Sequence, residues 1–416
     1  MFKRVTGTRD ILPDQVAWWQ KIEEISRTIF SLYNYKEIRP PLVEEAGLFN
    51  RSLGEATEIV QKQMFLIQRE EESYALRPEG TASIVRAYIE NNLDKTAAFQ
   101  KLYYIGPMFR MERPQKGRQR QFHHIGCEAI GSKEPGIDVE VIALADALLK
   151  GFGISGYRTV INSLGCPQDR KRLGALIREK LAQKLSGLCE ECKVRYERNT
   201  LRILDCKNEP CREAVKSLEL NDFLCEPCRS HFTRVREGLD CLKIAYEVSP
   251  NLVRGLDYYT GTVFEFKHEG LGPQQDALGA GGRYDTLVKE LGGPELGAIG
   301  FAFGVERLLL ASGEQMRESA AACQVYLITL GEQARQAGIP LLAELRSAGI
   351  SADTDYENKS LKASMRRAND LGCLTVLILG DDELKENCVM IKDMAKGGQE
   401  KLPLGQLTAH LKNQRS

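Results

Sequence analysis

Residues 109–126 read FRMERPQKGRQRQFHHIG. Arg110, Arg113, Lys116, Arg118 and Arg120 stand there against a single acid, Glu112, in a chain that balances 57 basic against 57 acidic residues. On either side lie strand-like runs, KLYYIGPMFR (101–110) and RQFHHIGCEAIG (120–131). Together they predict an antiparallel hairpin with a long polar connection. Arginine presents a fixed fork of donors that matches phosphate oxygens, so a local cationic cluster suits a polyanionic ligand. The plain alternative is a solvated hairpin tip. Overall neutrality argues against a chain that coats nucleic acid non-specifically; any such contact is expected to be a local patch.

Around this hairpin, 416 residues exceed one ordinary core, so two or three domains are expected. No run approaches the roughly 18 apolar residues of a membrane span. The start, MFKRVTGTRDILPD, lacks the apolar core of a secretory signal. No membrane partner and a cytoplasmic location are expected. Residues 14–33 predict an amphipathic helix on Trp18, Ile22, Ile25 and Ile29, just after Pro13. YKEIRPPLVEE (35–45) reads as a strand broken by a proline pair, hence at an edge or interface. SYALR (73–77) is a short strand and TASIVRAYIENNL (81–93) a helix, with Glu79 and Thr81 at the capping positions between them. LVRGLDYYTGTVFEF (252–266) reads as a strand whose Arg254, Tyr258 and Tyr259 suit a pocket for a planar polar ligand. GAGGRYD (279–285) reads as a tight glycine turn without a nucleotide-loop spacing. GFAFGVERL (300–308) is a strand into a helix that starts near Arg307. From about 322 strands and helices alternate, as in a separate α/β unit.

These motifs, in this order, resemble the histidyl-tRNA synthetase family of class II aminoacyl-tRNA synthetases, bacterial type. IRPPLVEEAGLF resembles class II motif 1, the opening hairpin motif 2, and GFAFGVERL motif 3. LVRGLDYYTGTVFEF and AGGRYD resemble the two peptides peculiar to the histidine enzyme. The resemblance implies an α+β catalytic domain with a mainly antiparallel sheet over 1–165 and 241–318. It also implies a helical insertion over 166–240 and a C-terminal α/β anticodon-binding domain over 322–416. The implied activity is a histidine–tRNA ligase: L-histidine and ATP with Mg2+ give histidyl-adenylate and pyrophosphate, and histidine passes to the 3′ end of tRNA(His). A homodimer is implied by motif 1.

By the same resemblance, Arg110 and Arg254 are the catalytic pair at the α-phosphate. Glu112, Arg113 and Arg307 hold the rest of ATP. Glu79, Thr81, His124, Glu128, Arg254, Tyr258, Tyr259 and Tyr284 form the histidine pocket. Lys116, Arg118 and Arg120 of the hairpin face the acceptor stem. Lys359, Lys362, Arg366 and Arg367, at offsets of three, seven and eight, are expected to share one helical face toward the anticodon stem. Position 124 departs from the family, where glutamine is common; a histidine there is expected to bring a pH dependence near neutrality.

Six of the twelve cysteines lie between 189 and 228, a pattern that points to metal before disulfide in an intracellular chain. Cys189 and Cys192, with Cys225 and Cys228, are two CxxC pairs expected to hold one structural Zn2+. Competing readings are a non-catalytic synthetase paralogue that regulates histidine biosynthesis, and a zinc-dependent nucleic-acid-binding protein.

Overall fold

The computed structural model describes residues 2–413 apart from 55–56, 116, 217, 219–222, 273–275 and 314–322. The chain divides into two compact units, 1–318 and 319–416.

The first unit is built on an eight-stranded sheet. In spatial order its strands are Lys36–Glu37, Gln100–Phe109, Gln121–Ile130, Ala298–Gly304, Ala277–Arg283, Thr260–His268, Tyr157–Ser163 and Glu247–Val248. Only the two short outermost strands pair in parallel; the six between them run antiparallel. The proline pair follows the edge strand Lys36–Glu37, because proline cannot donate to a central ladder.

Alternation along the strands gives the sheet two different faces. Ile125, Cys127, Ala129, Ile299, Phe301, Phe303, Phe264 and Phe266 enter a core that also contains Val141, Leu144 and Leu148 of helix Pro135–Gly151 and Ile22 and Phe30 of helix Pro13–Leu32. In that second helix the buried tryptophan is Trp19 rather than the expected Trp18. The inward stripe is Trp19, Ile22, Ser26 and Phe30. Ser26 is accepted there because its hydroxyl donates to the Ile22 carbonyl at 2.7 Å.

The opposite face is floored by small residues: Gly300, Ala302 and Gly304 pair with Glu128, Gly126 and His124. GAGGR, read as a turn, is instead the interior strand Ala277–Arg283. Its glycines serve close packing. A Cβ at Gly281 would run into the Gly300 carbonyl, and one at Gly282 would stand 2.7 Å from the Thr262 carbonyl. A three-stranded sheet, Val43–Glu45, Glu72–Leu76 and Phe65–Arg69, leads into helix Thr81–Glu90.

Residues 167–241 supply helices Pro167–Leu181, Glu190–Arg198, Glu209–Lys216 and Glu226–Cys241. The second unit has a five-stranded sheet in the order Ala352–Thr354, Val325–Leu330, Thr375–Gly380, Cys388–Asp393 and Gln399–Pro403. Its first three strands are parallel and the last two antiparallel. Helices Glu332–Ser347 and Leu404–Asn413 contribute Leu341, Leu342, Leu345, Leu407 and Leu411 to its core.

Candidate active site

A cavity of about 200 Å³ lies over the small-residue face of the large sheet. The hairpin strand Gln121–Ile130 presents Phe122, His124 and Glu128 on that face by simple alternation. Gly126, between them, leaves room for the buried Tyr104 ring: a Cβ there would lie 2.6 Å from Tyr104 Cζ.

One set of lining residues meets around Glu128. The Thr81 hydroxyl donates to its Oε1 at 2.8 Å and the Tyr284 hydroxyl to its Oε2 at 2.6 Å. Burial pushes the Glu128 carboxyl up to about 8, against the pull of those two donors. Gly300 sits opposite because a side chain there would occupy the place of the carboxylate. Tyr258 tilts against Tyr259 at 4.7 Å between ring centroids and meets Tyr284 edge-on at 5.8 Å. Glu79 caps helix Thr81–Glu90: its two oxygens accept the Thr81 and Ala82 N–H groups at 2.7 and 2.8 Å. The capping role expected for Glu79 and its place in the cavity wall are therefore the same fact. Burial raises its carboxyl, opposed by those N–H groups.

The other set is cationic. Arg110 donates through Nε to the Pro78 carbonyl at 2.9 Å and lies over the Phe122 ring at 5.3 Å. Glu112 stands 3.8 Å from Arg110 and 3.3 Å from Arg118. Arg307 donates to the Ala277 carbonyl at 2.6 Å. Burial lowers both the Arg110 and Arg307 guanidinium values, and Arg118 adds like-charge repulsion to each. An anionic ligand would relieve both effects. Arg254 differs: burial opposes its charge, but Glu265, 2.7 Å away, outweighs that and raises it. Its Nε is buried and has no partner among the described residues.

His124 lies among these arginines. Burial, followed by Arg110 and Arg307, holds its ring well below the usual histidine range. The expected pH dependence near neutrality is therefore not supported: burial and the neighbouring arginines disfavour a further cation and favour the neutral ring. Its Nδ1 is buried and has no partner among the described residues.

Several expected residues fall elsewhere. Arg113 is exposed and outside the cavity lining, whereas Arg118 is part of it. Arg120 anchors the N-terminal segment, its Nη1 donating to the Thr6 carbonyl at 3.2 Å. Lys116 lies outside the described residues. In the second unit Lys362, Arg366 and Arg367 are exposed on helix Leu361–Asp370, opposite or beside the buried Ser364 and Ala368. Lys359 is not on that helix, because Ser360 caps its start, and it pairs with Glu357 at 2.8 Å. The single Cys189–Cys192–Cys225–Cys228 set is also corrected. Cys189 and Cys192 gather with Cys206 and Cys211, and Cys225 and Cys228 with Cys166 and Asp169. The second pair is carried away on helix Glu226–Cys241, which docks on helix Pro135–Gly151 through His231 and Asp138, 2.9 Å apart.

Sequence reading missed Tyr104 and Glu306. Glu306 lines the cavity while accepting the His123 backbone N–H at 3.1 Å. It also missed that Arg283 of GGRYD is structural: fully buried, it donates to Asp138 at 2.7 Å and Asp285 at 2.9 Å.

Comparison with known proteins gives a concordant result. A family model described as Histidyl-tRNA synthetase matches residues 7–308, and one described as Anticodon binding domain matches residues 324–414. The histidine–tRNA ligase of Halothermothrix orenii is 46% identical over 97% of this chain and 97% of its own. That of Desulforamulus reducens is 45% identical over 98% of each. Among solved structures, the apo histidyl-tRNA synthetase of S. aureus superposes with a TM-score of 0.83 at 35% identity, covering 99% of this chain and 100% of the other.

Proposed function

The chain belongs to the histidyl-tRNA synthetase family, and from that premise we propose that the cavity is where L-histidine and ATP react. The protein is a ligase that joins histidine to tRNA in two steps. First, a histidine carboxylate oxygen bonds to the α-phosphorus of ATP and the α–β bridging bond breaks, releasing pyrophosphate. Then the ribose hydroxyl at the 3′ end of tRNA(His) takes the histidyl group from AMP.

The observation that carries this reading is the meeting of both residue sets in one cavity: Glu79, Thr81, Glu128 and Tyr258 beside Arg110, Arg254 and Arg307. Both reactants of the first step are anionic, so the step needs preplaced positive charge at phosphorus. Arg110, lying over Phe122, and Arg254, steadied by Glu265, supply it; Arg307 and Arg118 suit the β- and γ-phosphates. Glu79 has lone pairs left for the substrate ammonium. Glu128 and Tyr258 bracket the imidazole, with Tyr259 and Tyr284 completing the wall. Such buried polar groups reject a side chain that leaves them unpaired.

Mg2+ enters with ATP. Glu79, Glu128 and Glu306 already accept hydrogen bonds, while among the described residues the Glu112 carboxylate is held only by longer ion pairs. Glu112 therefore fits a hard cation that also carries phosphate oxygens. The hairpin loop faces the acceptor stem with Arg113, and the Lys362–Arg366 face meets the anticodon stem. A homodimer is favoured by the apolar Val43, Leu66 and Ile67, exposed on the outer strands of the three-stranded sheet. A cytoplasmic location accords with the reading, and no described helix is long and apolar enough to cross a membrane. Charging of tRNA(His) with labelled histidine tests the proposal. Transfer that requires histidine, ATP and Mg2+ is expected; a folded protein that charges another amino acid instead would refute it.

A further inference from the structure

The module between residues 166 and 241 plays no part in the chemistry above, yet it holds four thiols that converge. Cys189, Cys192, Cys206 and Cys211 place their Sγ atoms within 4.8 Å of one another, with Cys189 and Cys206 at 3.8 Å. All four are free thiols and only Cys189 retains appreciable exposure. A tetrahedral zinc with Zn–S bonds of about 2.3 Å separates its sulfurs by roughly 3.8 Å. The chain reaches this arrangement with C-x2-C at the start of helix Glu190–Arg198 and C-x4-C at the start of helix Glu209–Lys216. Two helix starts facing each other across paired cysteines form a knuckle, and packing alone gives no reason for four thiols to share one centre. The second cluster is chemically different. Asp169 is engaged by Arg172 and by the backbone N–H groups of Cys166 and Cys225, at 3.3 and 3.1 Å.

What lies between the inner ligands gives the cluster a purpose. Residues 193–205 carry Asn199, whose side chain donates to Asp257 Oδ1 at 2.8 Å, and Arg202, which donates to the Gly255 carbonyl at 2.5 Å. Both acceptors belong to the Arg254–Tyr259 peptide. Arg170, on helix Pro167–Leu181, adds bonds to the Asp257 and Tyr259 carbonyls at 2.9 Å each.

We propose that Cys189, Cys192, Cys206 and Cys211 bind one structural Zn2+, and that this ion fixes segment 193–205 as a brace holding the Arg254–Tyr259 peptide in its catalytic position. The second half of this statement rests on the role given to Arg254 above; the first does not. Asn199 and Arg202 are positioning residues and touch no substrate.

The test begins with metal analysis of the full chain. About one zinc per chain is expected. It should be lost in Cys206→Ser/Cys211→Ser and retained in Cys225→Ser/Cys228→Ser. On the unsubstituted protein, Co2+ exchange should give the intense visible bands of a tetrahedral thiolate site, and alkylation should spare these four cysteines until a chelator is added. Less than about half a zinc per chain with the four thiols freely alkylated overturns the site; so does zinc that follows Cys225 and Cys228 instead. For the brace, Arg202→Ala should keep its zinc and its KM for histidine while kcat for pyrophosphate exchange falls about tenfold. An unchanged kcat overturns the brace. A zinc-loaded wild-type chain with no exchange at all would count against the synthetase reading and leave the metal site standing.

Discussion

At the scale of single residues, the cavity combines two problems that side chains solve differently. Among the described residues Arg254 has one carboxylate partner and an unpartnered Nε, so it is held in place with donor capacity to spare. Arg254→Ala is expected to lower histidine-dependent pyrophosphate exchange by about 10²–10³, the size of a lost transition-state donor, with histidine binding retained. A near-normal rate would remove the residue from the chemistry. Glu128 is a buried carboxyl raised to about 8. Since that lies above its unfolded value, the bound proton contributes stability that is full below about pH 4.5 and is lost as pH rises through 8. Glu128→Gln cannot titrate, so its stability relative to wild type should rise between pH 5 and 8 and then level off. Parallel denaturation profiles across that range would contradict the assignment. Burial and the nearby arginines favour the neutral His124 ring, so His124→Gln should stay active with the pH profile between 6 and 7.5 unchanged; a flattened profile would mean that the ring titrates after all. The alternation of Phe122, His124 and Glu128 is legible in the sequence. The charge state of His124 is not, because it depends on burial and on arginines from two other parts of the chain. Tyr104 was hidden for a related reason: in KLYYIG two adjacent tyrosines face opposite ways, and only the glycines packed on one of them reveal which.

At the scale of elements, the hairpin was readable because its strands alternate and its loop is charged. The glycine strand was not. GAGGR has turn composition, but its glycines answer to backbone atoms of neighbouring strands that no local reading supplies. Gly281→Ala should cost about 1–3 kcal/mol by overpacking, seen as a lowered denaturation midpoint. A midpoint unchanged from wild type would mean that the sheet opens there without penalty. The same limit applies to the cysteines. Sequence spacing joined the two CxxC pairs; the helices that carry them take each pair to different partners. Strands Phe65–Arg69 and Gln399–Pro403 also escaped notice: both are short and largely exposed, so neither has a strong apolar alternation.

At the scale of the whole molecule, the order of motifs made the fold class and family legible, because class II motifs lie on strands that must be neighbours in one sheet. The hairpin pairs with the motif 3 strand, and that strand with GAGGR. On the proposed reading, charge is concentrated in FRMERPQKGRQRQFHHIG because two polyanionic substrates would converge there in an otherwise neutral protein. The central claim is that this cavity activates histidine. Pyrophosphate exchange into ATP, measured with each standard amino acid in turn, tests it most directly. The account predicts exchange with L-histidine and rates about 10⁴-fold lower, or none, with the others. Exchange of similar rate with a different amino acid, or none with histidine from a folded protein, would contradict it.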